Sequence, residues 1–136
     1  MFRKLLIGLI IIVSGYSSCD IFPNVNCDDC YSNKPDSAEI KMSFSINSEN
    51  PIVPLVVYKG KVEDRKVEWI DTTNKETFYL YVKIDQYYSV VATYKSGART
   101  IYAVDGDKIT TRYVTDACKE DCYIITHNEL DVRLKD

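Results

Sequence analysis

Basic residues, histidine and long apolar runs are all scarce in this chain, and each scarcity removes a class of function. Lys and Arg number 17 against 20 Asp and Glu in 136 residues, and they never gather into a run. A phosphate backbone demands a basic stripe or patch, so nucleic acid is not an expected partner. His127 is the only histidine, beside Asn128 in a turn-like stretch. A Ser-His-Asp machine needs a base held near a nucleophile and an orienting acid, and no Gly-x-Ser-x-Gly elbow occurs. His127 therefore reads as a solvated turn residue, and the chain reads as something other than an enzyme. No stretch approaches the roughly 20 apolar residues a helix needs to cross a bilayer.

The longest apolar stretch, Leu5 to Val13 interrupted only by Gly8, follows Arg3 and Lys4 and leads through Ser14-Gly15-Tyr16-Ser17-Ser18 to Cys19. A short basic start, an apolar centre and a small-residue exit make the three-part plan of a secretory signal peptide. A cysteine placed directly after Ser17 and Ser18 resembles a lipobox, with Tyr16 standing where an aliphatic residue is usual. The resemblance implies residues 1-18 as a lipoprotein signal peptide and acylation of the Cys19 thiol by fatty acyl chains such as palmitate. Each buried methylene contributes about 0.8 kcal/mol, so two or three chains hold a protein that one would release. The expected address is the cell envelope, lipid-anchored outside the cytoplasm, with the outer membrane as the first choice.

Without residues 1-18 the basic count falls to 15 while all 20 acidic residues stay, a net charge of minus 5 on 118 residues, which is one domain in size. Four further cysteines stand as Cys27 and Cys30, then Cys118 and Cys122. An even number in an exported chain points to two disulfides, and the spacing leaves three pairings open. Loop entropy leans toward bridges between the clusters, since closing about 90 residues stabilises by around 4 to 5 kcal/mol.

These cysteines admit two other readings. Cys27-Asp28-Asp29-Cys30 has the spacing of a redox dithiol, and hence of an envelope thiol-disulfide oxidoreductase. It lacks a helix behind it, however, and flanking carboxylates discourage the thiolate. Four thiolates also suit zinc, but oxidation outside the cytoplasm competes. Neither a metal nor a cofactor is expected.

From Asp20 to Asp36 the composition is Asp, Asn, Pro and Ser, so residues 19-37 read as a lipid-anchored tether carrying Cys27 and Cys30. Then the period becomes two. In Glu39 to Ile46, Ile40, Met42, Phe44 and Ile46 share one face, the mark of a half-buried strand. Ile52 to Tyr58 follows, with Pro54 predicting an edge or bulge, and then Val67 to Ile70, with Trp69 as a predicted core anchor. Thr77 to Ile84 puts Phe78, Leu80, Val82 and Ile84 on one side and Tyr79, Tyr81 and Lys83 on the other. Tyr87 to Tyr94 is dense in Tyr, Val and Thr. Asp105-Gly106-Asp107 between two β-rich runs predicts a hairpin turn, a role that also accounts for both aspartates better than a calcium site does. Tyr123 to Thr126 and Leu130 to Leu134 close the series.

Seven to nine short strands without a helical period predict an all-β fold, a single antiparallel sandwich over residues 38-136, with no parallel sheet. Val56-Val57-Tyr58-Lys59-Gly60 followed by the tyrosine-rich Tyr87 to Tyr94 resembles transthyretin-like and carboxypeptidase-regulatory-like modules. Together with the lipobox and the cysteine-bearing tether, the chain is similar to small Gram-negative lipoproteins built on one such domain. That resemblance implies the sandwich and no particular activity.

Tyrosine is the conspicuous excess, eleven residues, ten of them after Cys19. Outward Tyr79 and Tyr81 are candidate contacts for a protein or glycan ligand, although cross-strand pairs shielded by lysine stems explain such residues as well. The expectation is a membrane-held, non-catalytic interaction or assembly module, with a glycan-binding module as the alternative.

Overall fold

The computed structural model describes residues 25–135, which form two facing sheets of unequal width. The strands are β1 (Ser37–Ser43), β2 (Val53–Lys59), β3 (Val67–Thr73), β4 (Thr77–Lys83), β5 (Gln86–Ser96), β6 (Arg99–Val114), β7 (Cys122–Thr126) and β8 (Glu129–Asp131). One sheet has the order β4-β1-β8 and the other β3-β2-β5-β6-β7. The only helical pieces among the described residues are two single 3-10 turns, Cys27–Asp29 and Val62–Asp64. The expected all-β sandwich is the observed class.

Alternation explains the core. Ala38, Ile40, Met42 and Phe44 turn inward from β1 and the residue just after it, against Val53, Leu55 and Val57 of β2 and Tyr88, Val90, Ala92 and Tyr94 of β5. Leu130 and Val132 complete the floor. Fully burying such an aliphatic side chain contributes about 1.5 to 3 kcal/mol, so the register of these strands is tightly specified: a one-residue slip would expose the whole set.

Tyr94 joins the layers through its polar end. Its ring is fully buried, while its hydroxyl donates to the Val132 carbonyl at 2.7 Å and accepts from the Ser45 backbone N–H at 3.1 Å. Burial pushes its phenol pKa up. Asn50 works similarly at the far end of β5, its buried amide exchanging two hydrogen bonds with the backbone of Lys95.

Four sequence expectations fail, each for a tertiary reason. Asp105-Gly106-Asp107 is not a turn but the middle of the 16-residue β6, paired in unbroken register with Val90, Ser89 and Tyr88 of β5. Gly106 is needed there for space: a Cβ would come within 2.9 Å of both the Tyr87 ring and Ser89 Oγ. The true hairpin is Gly97-Ala98, where Gly97 takes a φ of +60° between the paired Ser96 and Arg99. Trp69 is 46% exposed, because β3 is the outermost of five strands facing a sheet of three, and Val67 to Thr72 are exposed on both faces. Pro54 lies in an interior strand. It is tolerated because the β2–β5 ladder begins one residue later, at Leu55, while the bulge falls at Val57/Tyr58. Finally, β1 and β8 run parallel, so the smaller sheet is mixed.

Tyr94→Phe should remove both interlayer hydrogen bonds, leave the Val132 carbonyl and Ser45 N–H without that partner, and lower unfolding stability by about 1 to 3 kcal/mol. Urea unfolding followed by circular dichroism measures it, and an unchanged midpoint would refute the role.

Candidate functional site

The segment ahead of β1 lies along the domain. Asn26 caps the Cys27–Asp29 turn by accepting from the Asp28 N–H at 3.1 Å, and Tyr31 exchanges backbone hydrogen bonds with Tyr123 of β7 at 2.8 and 2.7 Å. Two disulfides hold it: Cys27 to Cys118, with Cα atoms 5.7 Å apart, and Cys30 to Cys122, at 5.5 Å. The bridges therefore run between the clusters. Cys27 and Cys30 are not bonded to each other, which is the bond a Cys-x-x-Cys oxidoreductase makes and breaks.

Between that segment, the smaller sheet and β7 of the larger one lies a cleft of about 630 Å3. Its lining includes Asn26, Asp29 and Tyr31 of the segment, Glu39 and Tyr81 of β1 and β4, Ile124 and Ile125 of β7, and Asn128 and Glu129. Asn128 is placed by donating from Nδ2 to the Glu39 carbonyl at 3.0 Å while its own carbonyl accepts from the Lys41 N–H at 2.9 Å. Among the described residues three carboxylates and two phenols line this concavity, and no basic side chain does.

Tyr79 and Tyr81 both point outward, 55% and 73% exposed. They part company there. Tyr81 pairs across to Glu39 and enters the cleft, whereas Tyr79 pairs with Lys41, whose ammonium reaches toward Glu129 at 3.9 Å, and lies outside it. Tyr31 escaped sequence reasoning because its position depends on the disulfides. Cys19 and the export signal lie outside the described residues.

His127, at a φ of +61°, meets Asp107 at 3.0 Å on an exposed surface. This supplies a base and an orienting acid, and no hydroxyl or thiol joins the imidazole among the described residues. Asp105 is likewise engaged, its Oδ2 accepting from the Asp131 N–H at 2.8 Å and so tying β6 to β8. Arg133, hydrogen-bonded to Asp131, holds that carboxyl down at about 2.

The outer face of the larger sheet carries a second feature. Ile70, Val56, Val91 and Val104 stand directly opposite one another on β3, β2, β5 and β6, an aliphatic row across four strands. Ile70 and Val104 are 68% and 57% exposed. Val67 and Tyr102 extend the patch, also exposed, and among the described residues β3 leaves one backbone edge unpaired. Sequence reading missed the row, because it exists only once four strands are in register.

No protein-family model, curated protein or solved structure matches this chain.

The two disulfides close nearly the same loop, of 91 and 92 residues. The first to form should stabilise by about 4 to 5 kcal/mol, but the second then closes a path of only about seven residues and should add about 2 to 3 kcal/mol. Removing either bridge by paired Cys→Ser changes should therefore cost the smaller amount, and removing both should cost more than twice as much. Denaturant titration of the three variants decides; simple additivity would refute the shared-loop account.

Proposed function

We propose that the protein is a lipid-anchored, non-catalytic interaction module of the bacterial cell envelope, docking a partner on the outer face and free edge of its five-stranded sheet. The observation that carries this reading is the aliphatic row of Ile70, Val56, Val91 and Val104, exposed at both ends, beside an edge of β3 that has no strand partner among the described residues. Soluble proteins blunt such edges with charge, bulges or cover, because unpaired N–H and C=O groups recruit further strands. Contiguous exposed apolar surface of this kind marks interaction sites. Two long-range disulfides support an oxidising compartment. The signal-like start and Cys19 supply the anchor. The kinship with transthyretin-like and carboxypeptidase-regulatory-like lipoproteins belongs to the same proposal.

A photo-crosslinking residue at Val104, in cells fed a radiolabelled fatty acid, tests both halves. The expected result is a discrete adduct that disappears with Ile70→Asp, and lipid label that disappears with Cys19→Ala. Crosslinking equal to that from Arg133, on a different surface, would refute the docking face. Equal labelling of Cys19→Ala would refute the anchor.

A second reading is favoured by the cleft: a glycan module in which Tyr81 and Tyr31 offer flat contact area and Asp29, Glu39 and Glu129 accept hydrogen bonds from sugar hydroxyls. On a glycan array, Tyr81→Ala should then abolish binding while Tyr79→Ala keeps it. No binding by the parent protein, or equal loss in both variants, would count against the cleft.

A further inference from the structure

Cross-pairing of the cysteines has a geometric by-product: it sets the two disulfides side by side, with three of the four sulfurs in one cluster. The Sγ atoms of Cys30, Cys118 and Cys122 lie within 4.8 Å of one another, and Cys27 Sγ is bonded to Cys118. Local pairing within each short motif would not have required this. Around a tetrahedral zinc, with Zn–S bonds near 2.3 Å, sulfurs sit about 3.8 Å apart, a spacing inside the 4.8 Å that spans the group of three, reached when the S–S bonds open and the bonded sulfurs move apart. The site is reachable from solvent, through a shallow cavity of about 240 Å3 lined by the four cysteines with Ser32, Lys119, Glu120 and Asp121, two carboxylates against one ammonium. Cys-x2-Cys on a 3-10 turn opposite Cys-x3-Cys is also the spacing that tetrahedral thiolate sites use.

We propose that the cluster has a second, metal-binding state: when its disulfides are reduced, Cys30, Cys118 and Cys122 hold zinc, with Cys27 completing the tetrahedron. A dithiol reductant gives two electrons and two protons to each disulfide and is itself oxidised to a disulfide, leaving four thiols. Zinc then displaces one proton to solvent from each thiol that it binds as thiolate. The acidic neighbours Asp28, Asp29, Glu120 and Asp121 attract the dication but oppose the build-up of negative charge on a fourth thiolate. Cys27, outside the group of three, is accordingly the weakest ligand. The metal replaces the oxidised bridges as the fastener of the amino-terminal segment, so the same four residues keep the fold closed in either redox condition.

The test uses the full chain in detergent, reduced anaerobically with a dithiol that is then removed, and titrated with cobalt(II). The expected result is the visible ligand-field spectrum of tetrahedral cobalt thiolate, saturating at one cobalt per chain and displaced by zinc, with none in the oxidised chain. Cys30→Ser and Cys122→Ser should each weaken binding more than about tenfold, beyond the lower end of what outer-shell partners of metal sites contribute, and Cys27→Ser should weaken it less. Absence of that spectrum, or equal spectra from the parent, Cys30→Ser and Cys122→Ser, would overturn the proposal. Should the reduced chain lose its β circular-dichroism signal, zinc must restore it; failure to do so would equally overturn it.

Discussion

The burial of one face of β1 against β2 and β5 is the contact on which the remaining architecture depends. Ile40, Met42 and Phe44 are fully enclosed there, and because β1 is central in the smaller sheet, its position sets those of β4 and β8 at once. Tyr94 then works from the opposite layer. Its ring adds to the same core, and its hydroxyl bonds the backbone just beyond β1 and at the chain's carboxyl end. Apolar burial supplies the driving force, and a buried hydroxyl with its partners selects one arrangement of the layers.

The mismatch in sheet width has functional consequences. Three strands do not cover five, so β3 stands free at the end of the larger sheet, and Trp69 is left half in solvent although it pairs with the buried Val57. On the other side of that sheet the row from Ile70 to Val104 is exposed at its two ends and half-buried at Val56 and Val91, with no further layer over it among the described residues. The two proposed ligand surfaces thus differ in kind and place: an apolar outer face on the larger sheet, and an acidic, tyrosine-bearing cleft where the smaller sheet, β7 and the segment ahead of β1 meet. The cleft has a wall only because the disulfides hold the segment around Tyr31 against β7.

Much of the fold was legible because period-two alternation is a local property. Glu39 to Ile46 and Thr77 to Ile84 announce both their conformation and their buried side, and the outward pointing of Tyr79 and Tyr81 follows directly. The candidate site was less legible. Tyr81 and Tyr79 are equivalent in sequence, and only the docking of Tyr31 and Glu129 separates the residue in the cleft from the one beside Lys41. Asp105-Gly106-Asp107 misled because an Asp-Gly pair signals a turn only when space on the sheet permits a side chain there. Here the ring of Tyr87 occupies the space, and glycine in a continuous strand is the solution.

Alternation and composition, read from the chain alone, determined an all-β domain, the inward faces of its main strands, and two cysteine pairs besides Cys19 suited to oxidation. Which cysteines meet, which apolar residues stay uncovered, and whether a glycine marks a turn or a close approach were decided by the tertiary structure. The physical reason is range. Side-chain direction along a strand is set by neighbours one residue away, whereas cover, pairing and clearance depend on groups brought together from across the chain, such as Cys27 and Cys118, 91 residues apart.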